Sequence, residues 1–222
     1  MRKLLALTVI LGLSSWASAD VVLDNIGDLS QLTTSTHAAQ DFETAFDAYD
    51  CAVIDDFELA SDGWTIESIE AVVGFWNFDP VGDINDPTGF NLGIFSDSAL
   101  IATTLIGDVA HIANVPYTTG DVATGLVQFD VNIQLDAGTY WVSVQPILDY
   151  SVAGQSGIIS SYLGNLDGIQ GNPNGGFGIP GNMQGITDST GAPVSGAYRI
   201  TGIPEPASLL LLGLGALLIR RR

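Results

Sequence analysis

The sequence predicts an all-β protein built as a single β-sandwich or jelly-roll-like domain, and two observations carry this prediction. Along residues 127–136, apolar and polar side chains alternate with a period of two, which is typical of a strand with one face in a core and one in water. Further short apolar stretches follow along the chain with Gly, Asn and Asp between them, and this spacing is typical of sandwiches.

The clearest pair of elements is a predicted β-hairpin. Residues 127–136 form its first strand, and a short turn that contains Gly138 leads into residues 139–145. Val142 and Val144 share one face of this second strand, so both strands present an apolar face to the same core.

Residues 64–78 form another predicted strand, rich in aromatic and β-branched residues. Its apolar run from Ala71 indicates burial on both faces. Four shorter strands are expected at residues 90–96, 99–105, 157–163 and 197–202.

Two segments fit this pattern less well. In residues 40–50, the apolar residues Phe42, Ala45, Phe46 and Tyr49 have the spacing of an amphipathic helix, whereas the β context and the aromatic content favour a strand. Residues 163–195 are rich in Gly, Asn and Pro, which predicts a long solvated loop or, alternatively, the rim of a ligand site.

Composition limits the partners of residues 20–202, the predicted acidic domain. The chain has 25 acidic and six basic residues and a net charge of −19, and Arg199 is the only basic residue of this domain. Such a surface repels phosphate backbones, so nucleic acid is excluded as a partner, whereas divalent cations, polysaccharide and basic proteins stay open.

The N-terminal residues 1–19 have the three zones of a secretory signal peptide. Arg2 and Lys3 form a positive region, an apolar stretch follows, and Ala17 and Ala19 form a small-residue cleavage site. We therefore expect signal peptidase and the general secretion machinery to export the chain and to cut it after Ala19.

The C-terminal residues 203–222 show a different order of zones. Pro204, Glu205 and Pro206 come first, and the prolines predict a stretch without strand or helix. Residues 207–219 carry no charge and predict a membrane helix of roughly 20 Å, short of the ~30 Å hydrocarbon core unless the membrane thins locally. The positive residues that follow predict a cytoplasmic stop-transfer signal: Arg220, Arg221 and Arg222.

This arrangement resembles the PEP-CTERM sorting domain of exported proteins of Gram-negative-type bacteria that also make exopolysaccharide. The resemblance implies recognition by exosortase, a membrane-embedded cysteine protease-transpeptidase that cleaves at or near the Pro-Glu-Pro. It also implies a precursor anchored in the inner membrane and a mature protein at the cell surface or in the extracellular matrix.

A vaguer resemblance covers residues 49–145. The stretches that carry it are YDCAVIDDFEL, GWTIESIEAVVGFW, FNLGIFSD and LDAGTYWVSVQ. They are similar to a β-sandwich module of exported bacterial proteins, which implies a jelly-roll-like fold related in shape to carbohydrate-binding modules. A shared fold implies no activity.

The residues give little sign of catalysis. His37 and His111 have no metal-ligand spacing, no nucleophile elbow occurs, and no lysine follows Lys3. We therefore predict that the protein is not an enzyme and has no catalytic residues. Cys51 has no second cysteine to pair with, and a buried apolar role is expected for it, with a reactive or intermolecular thiol as the alternative.

Two further features could bind a ligand. The acidic loop that contains Asp79, Asp83, Asn85 and Asp86 offers the oxygen ligands that Ca²⁺ prefers, although its spacing is not that of an EF-hand and a solvated turn is the alternative. Trp76 and Trp141 lie in predicted strands, where they either join a core or stack on a sugar ring.

Three functions follow as expectations. The first is a non-enzymatic surface or matrix protein that exosortase sorts and that associates with exopolysaccharide or biofilm, without a cofactor. The second is a secreted hydrolase that uses an unrecognised pair of carboxylates. The third is a calcium-dependent adhesion module.

Overall fold

The computed structural model describes residues 19–60, 63–77, 87–119 and 125–205, and these residues fold into two packed β-sheets. The first sheet is formed by β1 (Asp20–Asp24), β2 (Leu32–Ala38), β4 (Trp64–Trp76), β7 (Thr118–Thr119), β8 (Leu126–Leu135), β10 (Gln155–Ser161), β13 (Ser195–Gly196) and β14 (Tyr198–Pro204). The second sheet is formed by β3 (Ala52–Leu59), β5 (Gly89–Phe95), β6 (Ala110–Val115), β9 (Gly138–Ile147), β11 (Ile169–Gly171) and β12 (Met183–Gly185).

The helical elements are short. The α-helix α1 (Tyr150–Ala153) is accompanied by 3₁₀ turns at Leu29–Gln31, Thr44–Tyr49, Ser98–Ala102 and Pro180–Asn182. Within the described residues, no helix is long and apolar enough to cross a membrane. The predicted membrane helix at 207–219 lies outside the described residues.

The main core lies between the inner faces of the two sheets. Phe129 and Ile200 of the first sheet pack in one cluster with Leu92 and Val142 of the second, and the ring centroids of Phe90 and Phe129 are 5.1 Å apart. An all-β sandwich is therefore confirmed.

The strand β4 is buried on both faces at residues 71–73, where its apolar run begins. Ala71 and Val73 join the main core, whereas Val72 packs on the outer face with Ile26 and Ala197. The segment around residues 23–32 covers this outer face, which is why the run does not alternate.

The predicted hairpin of residues 127–136 and 139–145 is wrong, although both strands exist. β8 pairs with β4 and β7, whereas β9 pairs with β3 and β5 in the other sheet. The short turn therefore crosses between the sheets, and Phe129 and Val142 meet across the core instead of side by side. Face-to-face packing satisfies the same apolar alternation as edge pairing does.

Three other segments also differ from the prediction. The strand expected at 99–105 is a 3₁₀ turn, Ser98–Ala102, whose Ile101 covers the outer face of the second sheet. Residues 40–50 form the 3₁₀ turn Thr44–Tyr49 after a bridge from Gln40 to Cys51. Residues 163–195 are not one solvated loop, because they contribute β11 and β12 and bury Ile186 and Val194.

Candidate functional site: the sorting end and the aromatic cleft

The sorting end of the sandwich is the place where β1, β4 and β14 meet. Asp20 lies opposite Gly202, and Pro204 lies opposite Trp64. The N–H of Glu205 donates to the carbonyl oxygen of Gly63 at 2.7 Å, so pairing continues one residue beyond the strand. Two residues of the Pro-Glu-Pro motif are therefore fixed on the domain.

This pairing corrects the expectation that no strand can run through Pro204, because β14 includes this residue. Backbone N–H groups point alternately to the two sides of a strand. Since Glu205 donates toward β4, the nitrogen of Pro204 faces the β1 side, and the described part of β1 begins at Asp20, opposite Gly202. Pro204 therefore costs no ladder hydrogen bond with a described residue.

Both predicted processing points lie at this end. The expected signal-peptidase bond follows Ala19, which is exposed and directly precedes β1. Because β1 pairs with β14, this bond and the sorting motif emerge from neighbouring strands. The other residues predicted for these two signals lie outside the described part of the chain: Ala17, Pro206, Arg220, Arg221 and Arg222.

A second candidate site is a concave cleft of about 250 Å³ lined mainly by aromatic rings. We call it the aromatic cleft, and its lining residues are Phe42, Phe46, Tyr49, Tyr150, Gln155 and Phe177. The rings pack edge to face or tilted, at centroid distances of 5.4 Å for the closest contact of Tyr150 and 5.3 Å for that of Phe177. Tyr49 and Tyr150 are each 40% exposed, so part of each ring faces solvent.

Side-chain amides hold the walls of the cleft together. The Asn172 side chain is buried and donates to the carbonyl oxygens of Ala48 at 3.1 Å and Asp50 at 2.7 Å, while its own oxygen accepts from the N–H of Phe177. Gly176 approaches so closely that a Cβ there would collide with the carbonyl oxygen of Ala48. The segment at 172–177 is thus the rim of a concave site, which was the alternative interpretation of residues 163–195.

Three carboxylates lie next to the aromatic cleft, on the segments that carry its lining residues. Glu43 accepts from the N–H groups of Tyr150 at 2.7 Å and Ser151 at 3.1 Å, and Asp50 accepts from the N–H of Phe42 at 2.9 Å. Asp47 is exposed on the same turn. Burial raises the pKa of Asp50 to about 6, with the Phe42 N–H opposing the shift and Asp41 and Asp47 adding to it. At neutral pH these groups give the cleft a negative rim.

The sorting end and the aromatic cleft lie at opposite ends of the sandwich. β4 connects them, because Trp64 pairs with Pro204 while Trp76 packs against the cluster that contains Phe42, Phe46 and Phe177. β4 has 13 residues, so at roughly 3.3 Å per residue it extends about 40 Å.

A third group of interest is a set of three carboxylates. Oxygens of Asp55, Asp56 and Asp167 all lie within 4.8 Å of one another. Asp55 is buried and accepts from the N–H groups of Gly196 at 2.5 Å and Asp56 at 3.1 Å. Carboxylate oxygens are the ligands that a hard cation such as Ca²⁺ prefers.

Burial raises the pKa of the Asp55 carboxyl to about 8, opposed by the Gly196 N–H and reinforced by the negative charges of Asp167 and Asp56. The pKa of Asp167 is also raised, by burial and then by Asp56. These carboxyls therefore hold protons at pH values where a free aspartate is ionised.

The calcium ligands predicted from the sequence lie outside the described residues: Asp79, Asp83, Asn85 and Asp86. His37 lies on β2 and His111 on β6, in different sheets. Cys51 is buried and free, and burial raises the pKa of its thiol, which opposes formation of the reactive thiolate.

The two tryptophans considered as ligand residues have different positions. Trp141 packs on the outer face of the second sheet beside Ala52, Ile54 and Phe95, and Trp76 packs beneath the aromatic cleft. The sequence singled out Phe42, Phe46 and Tyr49 by their spacing but gave no signal for Tyr150, Gln155 or Phe177, which arrive from distant segments.

The fold and the sorting end together define an all-β sandwich with a C-terminal sorting signal. Residues 202–222 match the family described as PEP-CTERM protein-sorting motif, which confirms the resemblance at Pro204, Glu205 and Pro206. Comparison with curated proteins and with solved structures found no match for the chain.

The motif supports an exported protein that an exosortase sorts, and it implies exosortase as the processing partner. It also implies a precursor that is anchored in the membrane and then processed.

Proposed function

We propose that the protein is a non-enzymatic component of the cell surface or extracellular matrix, processed at its Pro-Glu-Pro motif and associated with exopolysaccharide or biofilm. The match of residues 202–222 to the sorting motif carries this proposal. The acidic domain, with Arg199 as its single basic residue, suits a role outside the cell as a solvated surface.

The geometry of the sandwich supports this role. A precursor held in the membrane by its C-terminal segment is tethered at the sorting end, where Pro204 pairs with Trp64. The aromatic cleft lies about 40 Å away along β4 and therefore faces away from the tether. In this arrangement, the cleft lies at the end of the domain that is farthest from the membrane, where extracellular material can reach it.

Several placements favour a non-enzymatic role without a cofactor. His37 and His111 belong to different sheets, and Cys51 is buried with a raised pKa. Asp55, the most buried carboxyl of its cluster, is bound to two backbone N–H groups. A hydrolase is the competing proposal, and incubation of the purified protein with glycan and ester panels tests it: turnover would contradict the non-enzymatic role.

Calcium binding at Asp79, Asp83, Asn85 and Asp86 stays a prediction. A melting series compares CaCl₂ with NaCl of equal ionic strength, because general screening acts equally in both whereas a specific site adds stability only with Ca²⁺. Equal melting temperatures would show that this loop is only an acidic turn.

The proposal is tested by changing Pro204, Glu205 and Pro206 together to alanine. The expression host carries an exosortase, and a host without the enzyme is the control. Export should be intact, and the variant should stay with the membrane fraction at the size of the unprocessed form, as the wild type does in the control host. Normal release of the variant would contradict processing at this motif.

A further inference from the structure

We propose that the aromatic cleft binds an organic ammonium group, either free or carried by an amino sugar. This inference does not depend on the proposed processing, because it rests on the cleft alone. Its three supporting observations are the ring lining, the nearby carboxylates and the small number of polar side-chain groups among the described lining residues.

The first observation is the lining. Five of the six lining residues that the structure describes are aromatic, and they surround a space of about 250 Å³. The negatively charged face of an aromatic ring attracts a cation that lies within about 6 Å of its centroid, and several rings together act as a cage for alkylated ammonium groups. Tyr49 and Tyr150 keep 40% of their surface exposed, so a ligand can reach the rings from solvent.

The second observation is the charge around the cleft. The Glu43 carboxylate is bound to the backbone of Tyr150, and the Asp50 carboxylate is bound to the backbone of Phe42. Asp47 lies between them on the 3₁₀ turn that carries Phe46 and Tyr49. The one basic residue of the domain, Arg199, is paired with Asp24 and Glu70 instead, so it does not offset this charge. The rim therefore attracts cations and repels anions.

The third observation separates a cation from a neutral sugar. Among the described lining residues, Gln155 is the only amide side chain, and its oxygen already accepts from the Nδ2 of Asn77 at 2.5 Å. A neutral sugar that enters the cleft would exchange its hydrogen bonds to water for those that the Tyr49 and Tyr150 hydroxyls and the Gln155 amide N–H groups can offer, with no charge attraction in addition. A quaternary ammonium group needs no directed hydrogen bonds, because ring faces and carboxylates stabilise it, and the ammonium of an amino sugar adds to the sugar a charge attraction that its neutral counterpart lacks.

The test measures affinities by ligand-observed NMR on the full chain in a nonionic polyoxyethylene detergent. Each cation is compared with a neutral counterpart of similar shape: choline with 3,3-dimethylbutan-1-ol, and a glucosamine oligomer with its N-acetylated form. For each cation that binds, we expect a Kd about tenfold lower than that of its neutral counterpart. Which of the two cations binds better identifies the source of the ammonium group.

Two variants locate the site. Tyr150→Leu keeps an apolar side chain but removes the ring, and Asp47→Asn removes one rim charge. Each should weaken the binding several-fold. The matched controls are Tyr162→Leu and Asp136→Asn, which change exposed residues outside the cleft and should leave affinity unchanged. Melting curves of all four proteins show whether each is folded.

Three results would overturn the proposal. Equal affinity for cation and neutral counterpart would mean that the cleft is merely apolar. Preference for the N-acetylated oligomer would mean that it is a neutral-sugar site. Absence of binding for both cations to the wild-type chain would exclude an ammonium site, and this result does not depend on how the variants fold.

Discussion

At the sorting end, backbone pairing holds the chain, whereas at the aromatic cleft side-chain hydrogen bonds to the backbone do so. Pro204 and Glu205 are fixed by strand register and by one N–H to the carbonyl oxygen of Gly63. The cleft walls depend on Asn172 and on the carboxylate of Glu43. Loss of a side chain should therefore affect the cleft strongly and the stability of the sorting end little.

The sorting end and the aromatic cleft belong to one sandwich with a shared core, so a substitution that unfolds the core should unfold both. Phe129→Asp places a charge without a partner among Phe90 and the inner faces of both sheets, at a cost of several kcal/mol that should unfold the domain. Circular dichroism and melting curves measure the loss.

The matched control for this change is Gln128→Asp, one residue away on the outward face of β8. It should cost less than about 1 kcal/mol, because the side chain stays near water. Equal damage from the two substitutions would contradict a β8 with one buried face.

The cleft end should be sensitive to Asn172. Asn172→Ala removes the donor to the Asp50 carbonyl oxygen and the acceptor of the Phe177 N–H, while the Ala48 oxygen keeps the Gly176 N–H, so the cost should be about 2 kcal/mol. Urea unfolding measures this change, and ammonium binding should weaken with it. Asn174→Ala is the control, because that exposed amide makes one bond to Asp47 and should cost about 1 kcal/mol or less. A reversed order would show that the amide of Asn172 does not hold the cleft.

Between the two ends, Asp55 should make stability depend on pH. Its folded pKa of about 8 lies above the unfolded value near 3.8, so the folded state holds the extra proton. Its contribution is present below pH 4 and is lost as pH rises toward 8, by at most on the order of 5 kcal/mol.

Melting curves of the wild type and Asp55→Asn between pH 4 and pH 9 test this dependence. The variant should lose less stability across the range than the wild type, while the exposed control Asp130→Asn should follow the wild type. A parallel decline in all three proteins would assign the pH effect to general charge repulsion.

The smallest stability effect is expected at the sorting end. Glu205→Ala keeps the N–H that bonds to Gly63, so the free energy of unfolding should change by less than about 0.5 kcal/mol. Trp64, whose Cα lies opposite Pro204, reports on the register through its fluorescence. A loss as large as that of Asn172→Ala would show that side-chain contacts hold this end too.

The sequence was sufficient for the long strands β4 and β8 but not for their partners. The alternation along β8 and the long apolar run of β4 are local patterns, and both were found where expected. The pairing of β8 and β9 depends on which sheet each strand joins, and a short turn is compatible with either arrangement. The predicted hairpin failed for this reason.

The two candidate sites show the same difference between local patterns, which the sequence reveals, and contacts between distant segments, which it does not. The sorting motif is continuous in sequence, so it could be recognised, whereas its pairing with Trp64 depends on the register of β14. In the aromatic cleft, Phe42, Phe46 and Tyr49 form a visible stripe. Tyr150 and Phe177 come from segments more than 100 residues away, and only the folded chain brings them to it.

The central claim, an exported sandwich cut at a motif fixed to its sorting end, is tested most directly by the C-terminus of the mature protein. Mass spectrometry of the surface fraction from a host that carries an exosortase identifies the last residue of the mature protein. We expect a C-terminus at or near Pro204, Glu205 and Pro206, with no peptide from residues 209–222. A surface protein that runs on through Leu209 to Arg222 would contradict the claim, because the tail would then be a permanent anchor.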